Sequence, residues 1–278
     1  MIVQTAPKGE KHFIITMENH TQLSGQFATA FGNQEFDPIE PRDQMLHMIK
    51  NHDIGWRELD SEAYRDPKTG LPYNLVETPF SYIAKTSAAS PEINSQHHPY
   101  CGLISSMHSW GLYNGRYGMS DKVLLDGLAA ENRATADKLL EGEKIRQESL
   151  KKLLGSDVIM SEWVTESRLM LNYKLLQFFD TLALYFNCVH DDARENTTYS
   201  HIPAGIGKDV DIKIEKLDEG LYGLNPFPFQ GKSLDISFSG KYMFPADTGE
   251  SVKDILGLCA TENQTARLID LRNGTLAP

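Results

Sequence analysis

Four stretches of the chain carry nitrogen and oxygen donors at positions that a folded helix would turn inward. "NHTQLSG" holds His20, and "IKNHDIGW" holds the doublet His52-Asp53. "PYCGLISSMHSW" holds His108, and "KLLQFFDTLALYF" sets Asp180 in the middle of an apolar run. Three imidazoles and two carboxylates form a ligand set suited to a first-row transition metal. Each residue also has an ordinary structural reading. His20 can be a surface or capping residue, and His108 a satisfied core histidine. Asp180 can cap another element or pair with an arginine such as Arg168.

Helical spacing sorts these residues. In a helix over 42–53, Met45, Ile49 and His52 fall at i, i+4 and i+7, so His52 shares the apolar stripe and His47 does not. Cys101, Ile104 and His108 fall at i, i+3 and i+7 of the next apolar face. Tyr173, Leu176 and Leu184 surround Asp180 on its own face. A carboxylate buried there is costly unless it is paired, hydrogen-bonded or metal-bound. His97 and His98 precede a helix, so its periodicity neither requires nor excludes them as ligands.

The elements that must position these residues follow from pattern. "MIVQTAPKGEKHFIIT" reads as two short strands about a Lys-Gly turn. A helix follows from Asn19 or Thr21 to Gly32, and another begins near Pro41. Residues 58–98 are rich in turn formers and read as a long irregular crossing. Pro99 suits the first turn of the His108 helix. Helices are expected over about 121–155 and 161–190. Beyond 196, Ile212 and Ile214, then Leu234, Ile236 and Phe238, alternate with polar residues, which argues for antiparallel strands. The expected fold class is mainly α: a helical core with a small antiparallel β layer from the N-terminal hairpin and C-terminal strands. The expected organisation is a single domain over 1–278, with a hairpin over 1–17, a helical metal-binding core over 18–195 and a β-rich extension over 196–278.

Composition narrows the class of function. The 278 residues are 40% hydrophobic and 23% charged, as in ordinary globular chains. A net charge of −11 disfavours nucleic acid as a partner. Apolar runs are too short for a membrane span, and the opening lacks the basic and apolar regions of a signal peptide. The three cysteines have neither metal-like nor disulfide-framework spacing, which suits a reducing cytoplasm. The expected partner is a small-molecule substrate, with no nucleic acid and no membrane, in a monomer or homodimer.

His20, then the doublet His52-Asp53, then Asp180 on a late apolar helix resembles the ligand order of the HD-domain superfamily of helical metalloenzymes, and "HDIG" is a frequent form of its doublet. More narrowly, "MIV", "HTQLSGQFA", "HDIGW", "TGLPYN", "PYCGLISSMH", "LLQFFDTLALY" and "NPFPF" resemble the bacterial family known as domain of unknown function 3891. The superfamily resemblance implies an HD-like helical core binding one or two divalent metals (Fe, Mn or Zn) through His20, His52, Asp53 and Asp180. Most such enzymes are phosphohydrolases in which the metal activates water. That makes a small phosphorylated molecule the expected substrate, with Asp53 and His98 as the catalytic pair. A smaller group resembles di-iron oxygenases with extra histidine ligands, for which His108 is a candidate and His98 or His97 a sixth. A third reading is a non-enzymatic ligand-binding protein. Trp56 stands where many phosphodiesterase-like members carry a lysine, so it fits a neutral or aromatic substrate edge, or plain packing. Arg116, in "LYNGRYG", is the nearest arginine to hold an anionic group, since its fork matches oxyanions.

Overall fold

The computed structural model describes residues 1–273. The opening strands β1 (Ile2–Val3) and β2 (His12–Ile15) pair antiparallel, as the sequence suggests. Thr16 then starts α1 (Met17–Ala30): its hydroxyl accepts the Asn19 amide at 3.2 Å, satisfying one N–H that a helix start leaves free. Next come α2 (Arg42–Lys50) and α3 (Arg57–Glu62), with the doublet in the turn between them.

The segment expected to be irregular over 58–98 is largely helical. Besides α3 it contains α4 (Phe80–His97), which runs through Pro91. A helical proline frees the carbonyl four residues earlier. Here that carbonyl, on Ser87, accepts the Ser109 hydroxyl of α5 (Pro99–Tyr113) at 3.0 Å. A short turn, α6 (Gly115–Gly118), leads toward α7 (Arg133–Gly155) and α8 (Glu166–Cys188). The α7 helix therefore starts later than the expected 121.

The C-terminal third builds β3 (Thr197–Gly205), β4 (Lys208–Asp218), β5 (Leu221–Asn225), β6 (Ser233–Met243), α9 (Val252–Leu258) and β7 (Glu262–Asp270). With the hairpin they form one seven-stranded sheet, in the order β1-β2-β6-β7-β5-β4-β3. β5 and β7 run parallel, while the other neighbours run antiparallel. About 49% of the chain is helical and 20% is in this curled half-barrel sheet.

This corrects the expected fold class: the chain is α/β with a large mixed sheet, not a mainly α protein with a small antiparallel layer. Two features hid the sheet. Register shifts in β3, between Tyr199 and Ile202 and again between Pro203 and Gly205, break its alternation. The polar run "ENQTARLID" buries little beyond Ala266 and Leu268, yet it becomes the strand that joins β5 to β6. One core unites the layers, since Phe27, Phe179 and Phe186 share it with Ile212, Tyr222 and Leu268.

A polar clamp fixes the end of α8 to the sheet. Arg194 donates to Phe186 O at 2.7 Å, Val189 O at 2.9 Å, Asp191 Oδ1 at 2.9 Å and the Tyr222 hydroxyl at 2.8 Å. Asp191 also accepts the Tyr222 hydroxyl and pairs with Lys216 at 3.1 Å. Desolvation opposes the Asp191 carboxylate, but Tyr222, Lys216 and Arg194 together outweigh it and hold its pKa below the usual value. A lowered native pKa means the contribution is present at neutral pH and is lost as pH falls through that lowered value. Asp191→Asn is therefore expected to cost about 1–2 kcal/mol at pH 7, the scale of a partly solvated charge-assisted network. Urea titrations should show this gap narrowing below about pH 4, where carboxylates begin to protonate; a gap that widens in acid refutes the assignment. Among the described residues no helix is long and apolar enough to cross a membrane.

Candidate metal centre

The centre forms where α1, the turn after α2, α5 and α8 meet. His20 is fully buried on α1. Its Nδ1 donates to Asn187 Oδ1 at 2.9 Å, which leaves the Nε2 lone pair facing Asp180 Oδ1 at 3.1 Å. Two acceptors so placed need a shared positive charge, a proton or a metal cation, between them.

His52 repeats the pattern. Its Nδ1 donates to Ile49 O at 2.8 Å. Its Nε2 lies 3.5 Å from Asp53 Oδ2 and 3.7 Å from Asp180 Oδ1, and no hydrogen-bond partner reaches it. Burial works against the His52 cation, yet the Asp53 and Asp180 carboxylates prevail and push its pKa up to about 9. Burial likewise opposes the Asp180 carboxylate, but His20 and His52 hold its pKa well below the ordinary range. His108 behaves differently: burial is the main cause that pushes it down to about 4. Its Nδ1 accepts the Gln177 Nε2 amide at 2.7 Å.

His20 and His52 are thus tied as donors at Nδ1, as metal-bound histidines characteristically are, with Nε2 left to serve as ligand, whereas His108 uses Nδ1 as an acceptor. The His52 ring centroid lies 5.5 Å from that of His20 and 5.3 Å from that of His108, each pair near perpendicular. Donor atoms of His20, His52 and Asp53 lie within 4.8 Å of one another, as do those of His52, His108 and Asp180. Two donors each ~2.1 Å from one metal sit roughly 3–4 Å apart. The separations of 3.1, 3.5 and 3.7 Å fall in that range.

Local structure explains why the doublet points inward. The α2 helix ends at Lys50, so His52 lies in a turn and not on the helical stripe that the spacing implied. A carbonyl left free at the helix end, that of Ile49, takes the His52 N–H. Asn94 on α4 donates to Asn51 O at 2.9 Å and to Ser90 O at 3.0 Å, pinning the turn. Gly55 lies against α4 so closely that a Cβ would sit 2.4 Å from Thr86 O. The glycine of "HDIG" is therefore a close-approach residue.

The other candidates are placed elsewhere. His98 caps α5, its Nδ1 accepting the Tyr100 amide at 3.0 Å, and its ring lies 6.0 Å from Trp163. Ten residues before His108, it is about 15 Å away along α5 and does not join the centre. His97 stacks on His47 at 3.4 Å, also away from the centre. Trp56 is buried in the main core. Arg168 pairs with Glu40 at 3.6 Å, not with Asp180. Arg116 is half-buried in the α6 turn, and its guanidinium has no hydrogen bond or ion pair among the described residues.

Two residues of the centre, Gln177 and Asn187, escaped the sequence reading. Both are polar residues in an apolar helix, three before and seven after Asp180, so they share its face. That spacing was the available signal.

Comparison with curated proteins and with solved structures gives no match. The family model described as "Protein of unknown function (DUF3891)" matches residues 1–244, and the chain belongs to that family.

Proposed function

We propose that this chain is a metal-dependent hydrolase of HD-domain type, acting on a small, phosphorylated molecule. The observation that carries the reading is the pair of buried imidazoles, His20 and His52, each donating from Nδ1, with Asp53 and Asp180 beside their Nε2 atoms. His…His-Asp…Asp is the ligand order that HD enzymes use, and it is here drawn together in space. A divalent cation held there would supply Lewis acidity and lower the pKa of a water.

One metal fits better than two. His52 belongs to both donor groups, but its Nδ1 is committed to Ile49 O, so its single free nitrogen serves one ion. The donors are fewer than a di-iron oxygenase requires, and His98 does not add to them. Asp53 has the most exposed side chain of those in the ion-pair cluster, at 15%. It therefore forms the solvent-facing edge, where it can orient an incoming water.

The test is metal analysis of the purified chain, followed by anaerobic assay of the Zn-, Mn- and Fe-reconstituted protein on phosphomonoesters. The expected result is one metal per chain and phosphate release without O2. Turnover that requires O2, or a chain that takes up no transition metal, overturns the proposal.

A further inference from the structure

A cleft of about 740 Å³ opens between the α5–α6 corner, α8 and strand β3. Gln177 and Thr181 form part of its wall, so the residue that contacts His108 and the neighbour of Asp180 both border it. Three cations line it, namely Arg116, Lys122 and Lys174, against one carboxylate, Asp121. Lys174 is engaged by Asp209. In a chain of net charge −11, this cationic lining is a local reversal of sign.

Two independent observations point to a missing ligand. The Arg116 guanidinium has no partner among the described residues, although a half-buried arginine ordinarily finds one. Gln177 is only 6% exposed, and its Oε1 has no hydrogen-bond partner. An unpaired buried amide oxygen costs about 1–3 kcal/mol unless something binds it. Arg116 is also held in an uncommon backbone: Gly115, Arg116, Tyr117 and Gly118 have φ of 60°, 51°, 57° and 84°. Two consecutive left-handed non-glycine residues are costly.

We propose that this cleft is the ligand-binding chamber of the candidate metal centre, and that Arg116 anchors an oxyanion on the ligand. The inference rests on the metal-hydrolase reading for what happens at the centre, but not for binding. Phosphate and carboxylate share the recognition chemistry, because the guanidinium fork bonds either in bidentate fashion. A donor group on the same ligand, a hydroxyl or an amine, satisfies Gln177 Oε1. The ligand is thereby aligned with one end at Arg116 and its body against the wall shared with His108.

The test uses the full chain with chelator present, so that metal binding plays no part. Inorganic phosphate and succinate are titrated separately by calorimetry into wild type, Arg116→Gly and Arg116→Lys. Glycine accepts the left-handed backbone, so the first variant removes the cation without strain. Wild type should bind at least one of the two anions. Arg116→Gly should bind it about 10–100-fold more weakly, the range for a lost charge-assisted bond. Arg116→Lys should recover part of the loss. The stronger-binding anion identifies the ligand as phosphorylated or carboxylated. Absence of binding by both anions, or equal binding by wild type and Arg116→Gly, overturns the proposal. If anions bind through Arg116 but no metal does, the hydrolase reading fails and the chamber stands. If metal binds and the anions do not, the reverse holds.

Discussion

His52→Ala and Asp180→Ala should each weaken divalent-metal binding by about 10²–10³-fold while leaving the helices and sheet intact. Structural sites of this kind bind with ~10–16 kcal/mol, which over about four ligands is ~2.5–4 kcal/mol each. His52 offers a buried ring nitrogen, Nε2, that lacks any hydrogen-bond partner, and Asp180 is within 3.7 Å of both His20 and His52. The groups that hold the ligands should matter less. Asn187→Ala frees His20 and should lose roughly 10–100-fold, while Gln177→Ala removes only a donor to His108 and should lose less. His98→Ala removes only a helix cap, at a cost of about 1 kcal/mol in stability, and should bind metal as wild type does. Competition against a chromogenic chelator reads the affinities, and circular dichroism checks the fold. If all five proteins bind alike, the donors are structural and the centre holds no metal.

The residues of the centre were more legible than the fold that carries them. His108 and Asp180 stand out because a helix has a fixed period and because a carboxylate among Leu, Phe and Tyr is too costly to be idle, while His20 enters through the ligand order the chain resembles. His52 reaches the cluster by a route other than the helical stripe. The spacing argument extended α2 to 53, whereas the helix stops at Lys50 and the turn buries His52 through its bond to Ile49 O and the bond from Asn94 to Asn51 O. His98 lies apart from the cluster as the cap of α5, because the position before a helix serves equally as cap or ligand. Nothing local marks a sheet closed by distant strands. The parallel pairing of Leu221 with Arg267 joins segments with no shared pattern, and the bulges in β3 erase the alternation that would have revealed it. Likewise α4 was hidden by Pro91, because the hydroxyl that satisfies Ser87 O comes from Ser109 on another helix.

Metal should also stabilise the chain as a whole, and the size of this effect depends on the topology of the centre. Its donors come from four segments, and His20 and Asp180 are 160 positions apart. An unfolded chain cannot gather them, so the metal binds the folded state alone, and its binding free energy becomes folding free energy. At a free concentration 1,000 times Kd the gain is about 4 kcal/mol. At ~2–4 °C per kcal/mol, as for chains of 150–250 residues, the melting temperature should rise by roughly 8–16 °C. The same addition should move His52→Ala and Asp180→Ala by far less, because the cation no longer finds a complete set of donors. Scanning calorimetry of all three proteins, each with chelator and with metal, separates the two contributions. The difference between the chelated proteins reports the packing lost at the substituted side chain. The metal-induced shift reports the centre itself. An equal shift in wild type and both variants would place the metal elsewhere on an acidic surface and remove the basis for chemistry at His52 and Asp53.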